Sequence, residues 1–373
     1  MEKTIYVTRP FLPPKQEYDE YVQHIWDEHY LTNNGPLHKE FEQRLREFTG
    51  VPNVTLTVNG HMALEIALEG LGIKGEVITT PFTFASTTHA LSLCGIKPVF
   101  ADIREEDLTL DPQQIENKIT ERTTAIMPVH VYGHLCDVKA IGEIARKYGL
   151  KVIYDAAHAF GVTKDGVSAA AFGDVSMFSF HATKLFHTIE GGALCYSDGT
   201  YTRIFNAYKN FGIEGEEHVP YVGGNAKMNE FQAAMGLANL PHVPALIEER
   251  RAITLRYRDR LQGVKGLRMF EPEAQPGVAY NYAYLPILID AEAFGASRDD
   301  VYFALKRENI FSRRYFWPIV PDFECYRDQY AHESLPVARK AGAQVLCLPI
   351  YNGLALEEVD RICGLLRGVS HIG

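Results

Sequence analysis

The chain has 373 residues, of which 46% are hydrophobic and 23% charged, and its formal net charge is −10. That length allows a large buried core and more than one domain. The acidic balance argues against a nucleic-acid-binding surface, which needs clustered lysine and arginine. No stretch approaches the roughly 20 consecutive apolar residues that span a membrane, and the N-terminal segment lacks the apolar core of a secretory signal. We therefore expect a cytoplasmic protein that binds neither nucleic acid nor membranes.

The cysteine spacing gives no metal or redox motif. The two closest of the six cysteines, Cys347 and Cys363, are 16 positions apart, so the sequence contains no C-x-x-C pair. Free thiols are typical of a reducing compartment. We predict no metal site.

Seven short apolar segments are predicted as strands. They are VTLTV (54–58), EVITT (76–80), PVFADI (98–103), TAIMPVHVY (124–132), KVIYDAAH (151–158), DVSMFSFH (174–181) and GALCYS (192–197). Helical patterns separate the first five, for instance from His61 to Leu71 and from Val138 to Tyr148. Apolar runs that alternate with helices are typical of a parallel sheet covered on both faces. The sequence therefore predicts an α/β core.

The C-terminal part has a different pattern. A long helical stretch, 229–261, is interrupted near Pro241 and Pro244. After it we predict a strand at 283–289, a helix at 298–308 and a last helix from Leu356. The simplest division is a large domain with an N-terminal segment (1–249) and a smaller α+β domain (250–373).

One lysine stands in an unusual place. The segment SFHATKLFHTIEGG (179–192) puts Lys184 between two histidines and just before glycines. The predicted strand 151–158 contains Asp155, and ligands of open α/β sheets bind beyond the carboxyl ends of the strands. Asp155 alone is equally explained as a helix cap. Together, a carboxylate at one strand end and a lysine after another suggest pyridoxal phosphate chemistry, because the lysine amine bonds to the aldehyde and the carboxylate keeps the pyridine nitrogen protonated.

Other residues meet the remaining needs of that cofactor. The segment 58–62 joins a strand to a helix, where backbone N–H groups bind phosphate well, and Ser179 adds a hydroxyl. Phe82 and Phe84 follow a strand and offer an aromatic face. Each residue alone has an ordinary structural explanation as core or turn. Their order along the chain makes a solvated surface position for Lys184 the weaker interpretation.

The motifs together resemble a known family. They are NGHMAL, TPFTFAST, IMPVHVYGH, YDAAHAFG, SFHATK with EGGA, and NAKMNEFQAA. The chain is similar in these motifs, from FLPP and LTNNGP to LPIYNGL, to the DegT/DnrJ/EryC1/StrS sugar aminotransferases. The resemblance implies the pyridoxal-phosphate-dependent transferase fold of type I: a large domain with a mostly parallel seven-stranded sheet, plus a smaller C-terminal α+β domain.

The resemblance also implies roles for single residues. Lys184 is expected to bind the cofactor covalently and to act as the catalytic base and acid. Asp155 would contact the pyridine nitrogen, His158 would lie near the phenolic oxygen, and Phe84 would stack on the ring.

The phosphate is expected to be bound by Ser179 and by the backbone of Gly60, His61 and Met62. Family members usually have Asn-Gly-Thr-Ser where this chain has NGHM (59–62). Because that threonine hydroxyl is missing, we expect the His61 ring or the backbone alone to replace it, with the Met62 N–H still serving. Asn225 matches an asparagine that reaches the phosphate of a neighbouring subunit, which implies a homodimer with shared active sites.

Further motifs bear on the substrate. Family dehydratases carry histidine in place of the lysine, so Lys184 favours transamination. Enzymes that aminate the sugar at C4 tend to have histidine three residues before the lysine, where this chain has His181. The motif YNYAY (280–284) and the motif RRYFWP, with Arg313, Tyr315 and Trp317, resemble enzymes that act on dTDP-4-keto-6-deoxy-glucose.

The resemblance therefore implies amino transfer from L-glutamate to C4 of a dTDP-linked 4-keto-6-deoxyhexose. Because the substrate is anionic and the chain acidic, we expect local cations among Arg313, Arg314 and Lys209 to offset the charge. The alternatives are a C3 aminotransferase, a dehydratase, and a non-catalytic regulator that uses the same fold.

Overall fold

The structure is a computed structural model and is described for residues 4–369. In that range the helices are α1 Lys15–Glu28, α2 Pro36–Thr49, α3 Gly60–Gly70, α4 Ala85–Leu93, α5 Pro112–Ile115, α6 Val138–Tyr148, α7 Tyr201–Tyr208, α8 Glu230–Asn239, α9 Val243–Leu261, α10 Ala291–Phe294, α11 Arg298–Arg307, α12 Arg327–Tyr330, α13 Pro336–Gln344 and α14 Leu356–Val369. The strands are β1 Asn53–Thr57, β2 Glu76–Thr79, β3 Lys97–Phe100, β4 Thr123–Met127, β5 Lys151–Asp155, β6 Thr163–Lys164, β7 Val167–Ser168, β8 Val175–Ser179, β9 Gly192–Tyr196, β10 Leu267–Met269, β11 Val278–Ala279, β12 Pro286–Ile289 and β13 Val345–Cys347.

The central sheet has seven strands in the order β1-β9-β8-β5-β4-β2-β3. The five strands β8, β5, β4, β2 and β3 run parallel to one another, whereas β9 is antiparallel to both β1 and β8. The predicted α/β fold with a mostly parallel seven-stranded sheet is confirmed, and every predicted segment from 54 to 197 supplies one of these strands. The predicted strand 151–158 is too long, because the strand ends at Asp155.

The sheet is covered on both faces, which explains its apolar sequence. Side chains alternate along a strand, so Val77 packs in a core with α3, α4 and α7 while its neighbour Ile78 packs in a second core against α6. Ile153 and Val152 divide in the same way between these cores. Burial on both sides is the reason that these strands read as continuous hydrophobic runs.

Helix bounds follow the local signals closely. Helix α6 spans the predicted range, with the Asp137 side chain accepting from the Ala140 N–H at its start and Gly149 at its end. The long stretch before residue 261 is interrupted as expected, since α8 ends at Asn239 and a short 3-10 turn, Leu240–His242, precedes α9.

The C-terminal part contains an antiparallel sheet, β10-β12-β13, with α11, α13 and α14 around it. A third small sheet pairs β11 with the β6–β7 hairpin, and so joins the two parts of the chain. The proposed boundary between residues 249 and 250 falls inside α9 and stays a prediction. No helix within residues 4–369 is long and apolar enough to cross a membrane. All six cysteines are free thiols; four of them are buried, whereas Cys94 is partly exposed and Cys325 is exposed.

Candidate active site

A cavity of about 530 Å³ opens at the carboxyl ends of the central strands. Ten of the residues predicted for the site line it: Gly60, His61, Phe84, Asp155, His158, Ser179, His181, Lys184, Arg313 and Tyr315. Three do not line it in the single chain, namely Met62, Trp317 and Asn225. The sequence positions that were expected to meet at one edge of the sheet therefore largely do so.

Lys184 lies in the connection between the antiparallel strands β8 and β9. The Phe180 N–H donates to the Gly191 carbonyl at 2.8 Å, and the Phe180 carbonyl accepts from the Thr188 N–H at 2.9 Å. A β-carbon on Gly191 would lie 1.9 Å from Oγ1 of Thr188, so a larger residue here would displace that hydroxyl from the Glu190 carbonyl, to which it donates at 2.7 Å. The connection is thus a defined loop that directs Lys184 into the cavity.

The amine of Lys184 has a pKa well below that of a solvated lysine. Burial lowers the pKa to about 8, while Asp155 and Tyr315 act in the opposite direction. At pH 7 about 10% of such an amine is neutral, compared with about 0.03% of an ordinary lysine. Lys184 is therefore a usable nucleophile and base near neutral pH.

Asp155 ends β5 as a buried carboxylate. Its Oδ2 accepts from the Thr87 hydroxyl at 2.7 Å and its Oδ1 from the Ala157 N–H at 3.1 Å. Burial raises the pKa of Asp155, and these hydrogen bonds and the charge of Lys184 oppose that rise. No lysine or arginine within residues 4–369 forms a direct ion pair with it. A buried carboxylate without a cation is costly, so the site suits a ligand with a protonated ring nitrogen.

His158 follows β5 and is held in one tautomer. Its Nδ1 accepts from the Tyr132 N–H at 3.0 Å, so the neutral ring carries its proton on Nε2. Burial keeps the pKa of His158 well below its ordinary value. The ring therefore offers a hydrogen-bond donor to the cavity and no charge.

The start of α3 approaches Ser179 closely. A β-carbon on Gly60 would lie 2.9 Å from Cβ of Ser179, so this position forms a cradle that a larger residue would fill. The N–H groups of Gly60 and His61 have no acceptor within the helix. The Met62 N–H donates to Oδ1 of Asn59 at 2.8 Å. The expectation that Met62 is a free phosphate donor therefore needs correction, because its N–H already closes the helix cap.

The His61 side chain is also engaged. Its Nδ1 lies 2.8 Å from the Ser86 hydroxyl and its Nε2 lies 3.0 Å from Oε1 of Glu65. Because both ring nitrogens of His61 are engaged, the phosphate contact of the missing threonine is left to the backbone N–H groups of Gly60 and His61. The Ser86 hydroxyl lies nearby.

Three residues expected near the substrate lie elsewhere. The Trp317 ring packs against the guanidinium carbons of Arg298, at 5.1 Å, and Arg314, at 4.8 Å. Arg314 itself pairs with Asp299 at 3.0 Å. Lys209 is fully buried and donates to the Leu56 carbonyl at 3.3 Å, so it cannot meet a substrate. Of the three proposed cations, only Arg313 lines the cavity.

Asn225 is exposed and lies outside the cavity lining. Its side-chain oxygen accepts from Nζ of Lys227 at 2.9 Å. Its proposed contact with a neighbouring subunit stays a prediction.

Two residues around the site were not singled out from the sequence. Thr87, in TPFTFAST, does not line the cavity but donates to Asp155, and Tyr284, in YNYAY, lines the cavity and contacts Lys184. Glu190 lines the cavity and its Oε1 lies 3.5 Å from Nε2 of His181. The motifs that contain Thr87 and Tyr284 were recognised, but nothing in the spacing indicates which hydroxyl points to the site.

The sequence profile of the DegT/DnrJ/EryC1/StrS aminotransferase family matches residues 14–367. The chain belongs to this family. It is 44% identical over 370 residues to a dTDP-4-amino-4,6-dideoxy-D-glucose transaminase of Shigella dysenteriae, covering 99% of this chain and 100% of that one. It is 31% identical to a GDP-perosamine synthase of Vibrio cholerae, covering 93% and 94% of the two chains. A crystal structure of DesI obtained with its TDP-sugar product superposes with a TM-score of 0.95, at 35% identity, over 99% of this chain and 94% of that one.

The protein is an aminotransferase that uses pyridoxal 5′-phosphate. The residues of the cavity fit this cofactor: a reactive lysine, a buried carboxylate without a cation, and a glycine cradle at a helix N-terminus. The cofactor supplies the electron-withdrawing ring on which an amino group is exchanged.

Proposed function

We propose that this enzyme transfers the amino group of L-glutamate to the C4 keto group of dTDP-4-keto-6-deoxy-D-glucose. One observation carries the proposal: the cavity that holds Lys184 beside Asp155 and His158 opens outward past His181 and Arg313. The names of the Shigella relative and of the DesI structure support the nucleotide sugar and the position of the amine.

In this proposal the inner side chains bind the cofactor. The Asp155 carboxylate would accept a hydrogen bond from the protonated pyridine nitrogen and keep the proton there, and Nε2–H of His158 would donate to the phenolic oxygen of the ring. Ser179 and the N–H groups of Gly60 and His61 hold the phosphate, at a helix end where the dipole favours an anion. The free amine of Lys184 would take a proton from the carbon of the bound amino acid as general base and would return a proton as general acid.

The outer side of the cavity would bind the anionic substrates. Arg313 is exposed, lines the cavity and has no salt bridge within residues 4–369. A guanidinium pairs well with a carboxylate or a diphosphate. Because both substrates of a two-stage transfer are anionic, the same arginine can serve glutamate first and the nucleotide sugar second. His181 and Tyr315 would contact the hexose.

The proposal includes a homodimer. Asn225 lies outside the cavity and its side chain accepts from Lys227. Apolar side chains of the preceding segment are exposed, Phe211 by 48%, Val219 by 58% and Val222 by 98%. A group of exposed apolar side chains is what a partner surface would cover. The phosphate contact of Asn225 would then be made in the neighbouring subunit.

The test is incubation of the loaded enzyme with L-glutamate and dTDP-4-keto-6-deoxy-D-glucose, followed by mass spectrometry and NMR of the product. We expect a 4-amino-4,6-dideoxy sugar, and no product with Lys184→Ala. An amine at C3 would favour the C3 alternative. A 3-deoxy product would indicate the dehydratase, and no turnover of any keto sugar would favour the regulator.

A further inference from the structure

Tyr284 is the residue whose hydroxyl meets the amine of Lys184. Nζ of Lys184 lies 3.2 Å from the hydroxyl oxygen of Tyr284, and both residues line the cavity. Lys184 comes from the β8–β9 connection, whereas Tyr284 lies just before β12 in the C-terminal part. The surroundings of the reacting amine are therefore completed by a residue 100 positions away along the chain.

The Tyr284 ring packs against two aromatic rings of the large sheet's part of the chain, those of His158 and Tyr132. Its ring centroid lies 4.5 Å from that of His158 and 5.9 Å from that of Tyr132. His158 is in turn held by the Tyr132 N–H. Within residues 4–369 the Tyr284 hydroxyl has no side-chain or backbone hydrogen-bond partner besides Lys184. Tyrosine hydroxyls withdrawn from water ordinarily have a partner, and here that partner is the catalytic amine.

We propose that Tyr284 is a positioning residue that holds the free amine of Lys184 in the cavity in both of its protonation states. A tyrosine hydroxyl can accept a hydrogen bond from the ammonium form and donate one to the neutral form. The same contact therefore persists while Lys184 takes up and releases a proton. Burial raises the pKa of Tyr284, so the phenol keeps its proton near neutral pH. The proposal rests on the proposed function only in taking Lys184 as the reacting amine.

The direct test is the pH dependence of Lys184 reactivity in Tyr284→Phe. The full chain is loaded with pyridoxamine 5′-phosphate, which leaves the lysine amine free. Cyanate is then added, because the carbon of its conjugate acid, isocyanic acid, is attacked by neutral amines, and carbamylation of Lys184 is followed by peptide mass spectrometry. The wild type gives the reference midpoint, which burial of Lys184 places below that of a solvated lysine.

In Tyr284→Phe the midpoint should fall by about 0.5 to 1 pH unit, because the hydrogen bond to the charged ammonium form is the stronger of the two that phenylalanine removes. The other charged and titratable groups that face Lys184 stay in place: Asp155 on β5, His158 after it, and Arg313 and Tyr315 from the C-terminal part. We also expect kcat to fall about tenfold with KM for either substrate within about twofold.

The matched control is Tyr257→Phe. Tyr257 is also buried and donates to a single carbonyl, that of Pro349 at 3.0 Å, but it lies on α9 and does not line the cavity. This variant should leave both the midpoint and kcat unchanged. Should Tyr284→Phe fail to fold, 3-fluorotyrosine at position 284 keeps the ring and the hydroxyl while weakening the acceptor, and should shift the midpoint in the same direction by less.

A midpoint and a kcat within experimental error of the wild type in Tyr284→Phe, or in the fluorinated enzyme, would overturn the proposal. A shifted midpoint equal to that of Tyr257→Phe would do the same. The carbamylation assay uses no sugar, so failure of the sugar substrate assignment would leave its outcome intact.

Discussion

The two sides of the cavity are built differently. On the inner side, Asp155 and His158 are buried, and each is fixed by short hydrogen bonds to Thr87, to Ala157 or to Tyr132. On the outer side, His181 is partly exposed and Arg313 is exposed, and Arg313 makes no salt bridge within residues 4–369. The comparison suggests that groups which fix charge and tautomer need a rigid, dry setting, whereas groups that receive two different substrates in turn need room.

Removing the reacting amine should have the largest effect. Lys184→Ala is expected to reduce kcat by at least about 10³-fold, because both covalent attachment and proton transfer are lost. The Tm near neutral pH should not fall, since a lysine whose pKa is lowered by burial opposes folding at a pH below that pKa. Activity within tenfold of the wild type would contradict the inner-side assignment.

The second largest loss of activity is expected from neutralising the buried carboxylate of Asp155. Asp155→Asn keeps the shape and the Thr87 contact but cannot hold the pyridine proton, so we expect kcat to fall about 10²-fold in both half-reactions. Stopped-flow absorbance with glutamate alone, and then with the keto sugar alone, separates the two. A loss confined to the sugar half-reaction would place Asp155 on the outer side instead.

Changing the outer side should affect binding more than chemistry. For Arg313→Gln we expect KM for the nucleotide sugar to rise about tenfold with kcat changed less than threefold, because an ionic contact is lost without a change at the reacting atoms. Arg251→Gln is a matched control, as Arg251 is exposed on α9, does not line the cavity and pairs with Glu248 on the same helix. Equal effects of the two variants would show that Arg313 has no special role.

The smallest expected effect comes from pH. With a pKa of about 8 for Lys184, the neutral fraction rises about fivefold between pH 7 and pH 8, and the rate of cofactor capture by cofactor-free enzyme should rise in proportion. The unfolded chain binds more protons than the folded one between about pH 8 and 10.5, so the contribution of Lys184 to stability improves as the pH rises through that window. The difference in Tm between the wild type and Lys184→Met across this range checks the sign.

Predictability from sequence differed between these two sides for physical reasons. The apolar runs of β5 and β8 are plain in the sequence. Asp155 and Ser179 end these two strands, Lys184 follows β8, and the topology of a parallel sheet brings such strand ends together. Trp317 was misplaced because an exposed aromatic next to arginines reads equally well as a ligand contact or as a cation–π stack. Lys209 was misplaced because nothing local shows that a helix end is buried.

The Met62 N–H and the Tyr284 hydroxyl illustrate the same limit at atomic scale. Asn59 was read as part of a phosphate motif, yet its side chain caps α3 and uses the Met62 donor. Tyr284 is brought to Lys184 by the packing of the C-terminal part, which no spacing in the sequence encodes.

The central claim is that Lys184 is the amine that holds the cofactor, and reduction of the loaded enzyme with borohydride tests it most directly. Reduction fixes the cofactor to the side chain that bears it, and peptide mapping locates the added mass. We predict that the mass lies on the peptide containing Lys184 and that Lys184→Ala carries none. Labelling of another lysine, or no labelling of the wild type, would contradict the account.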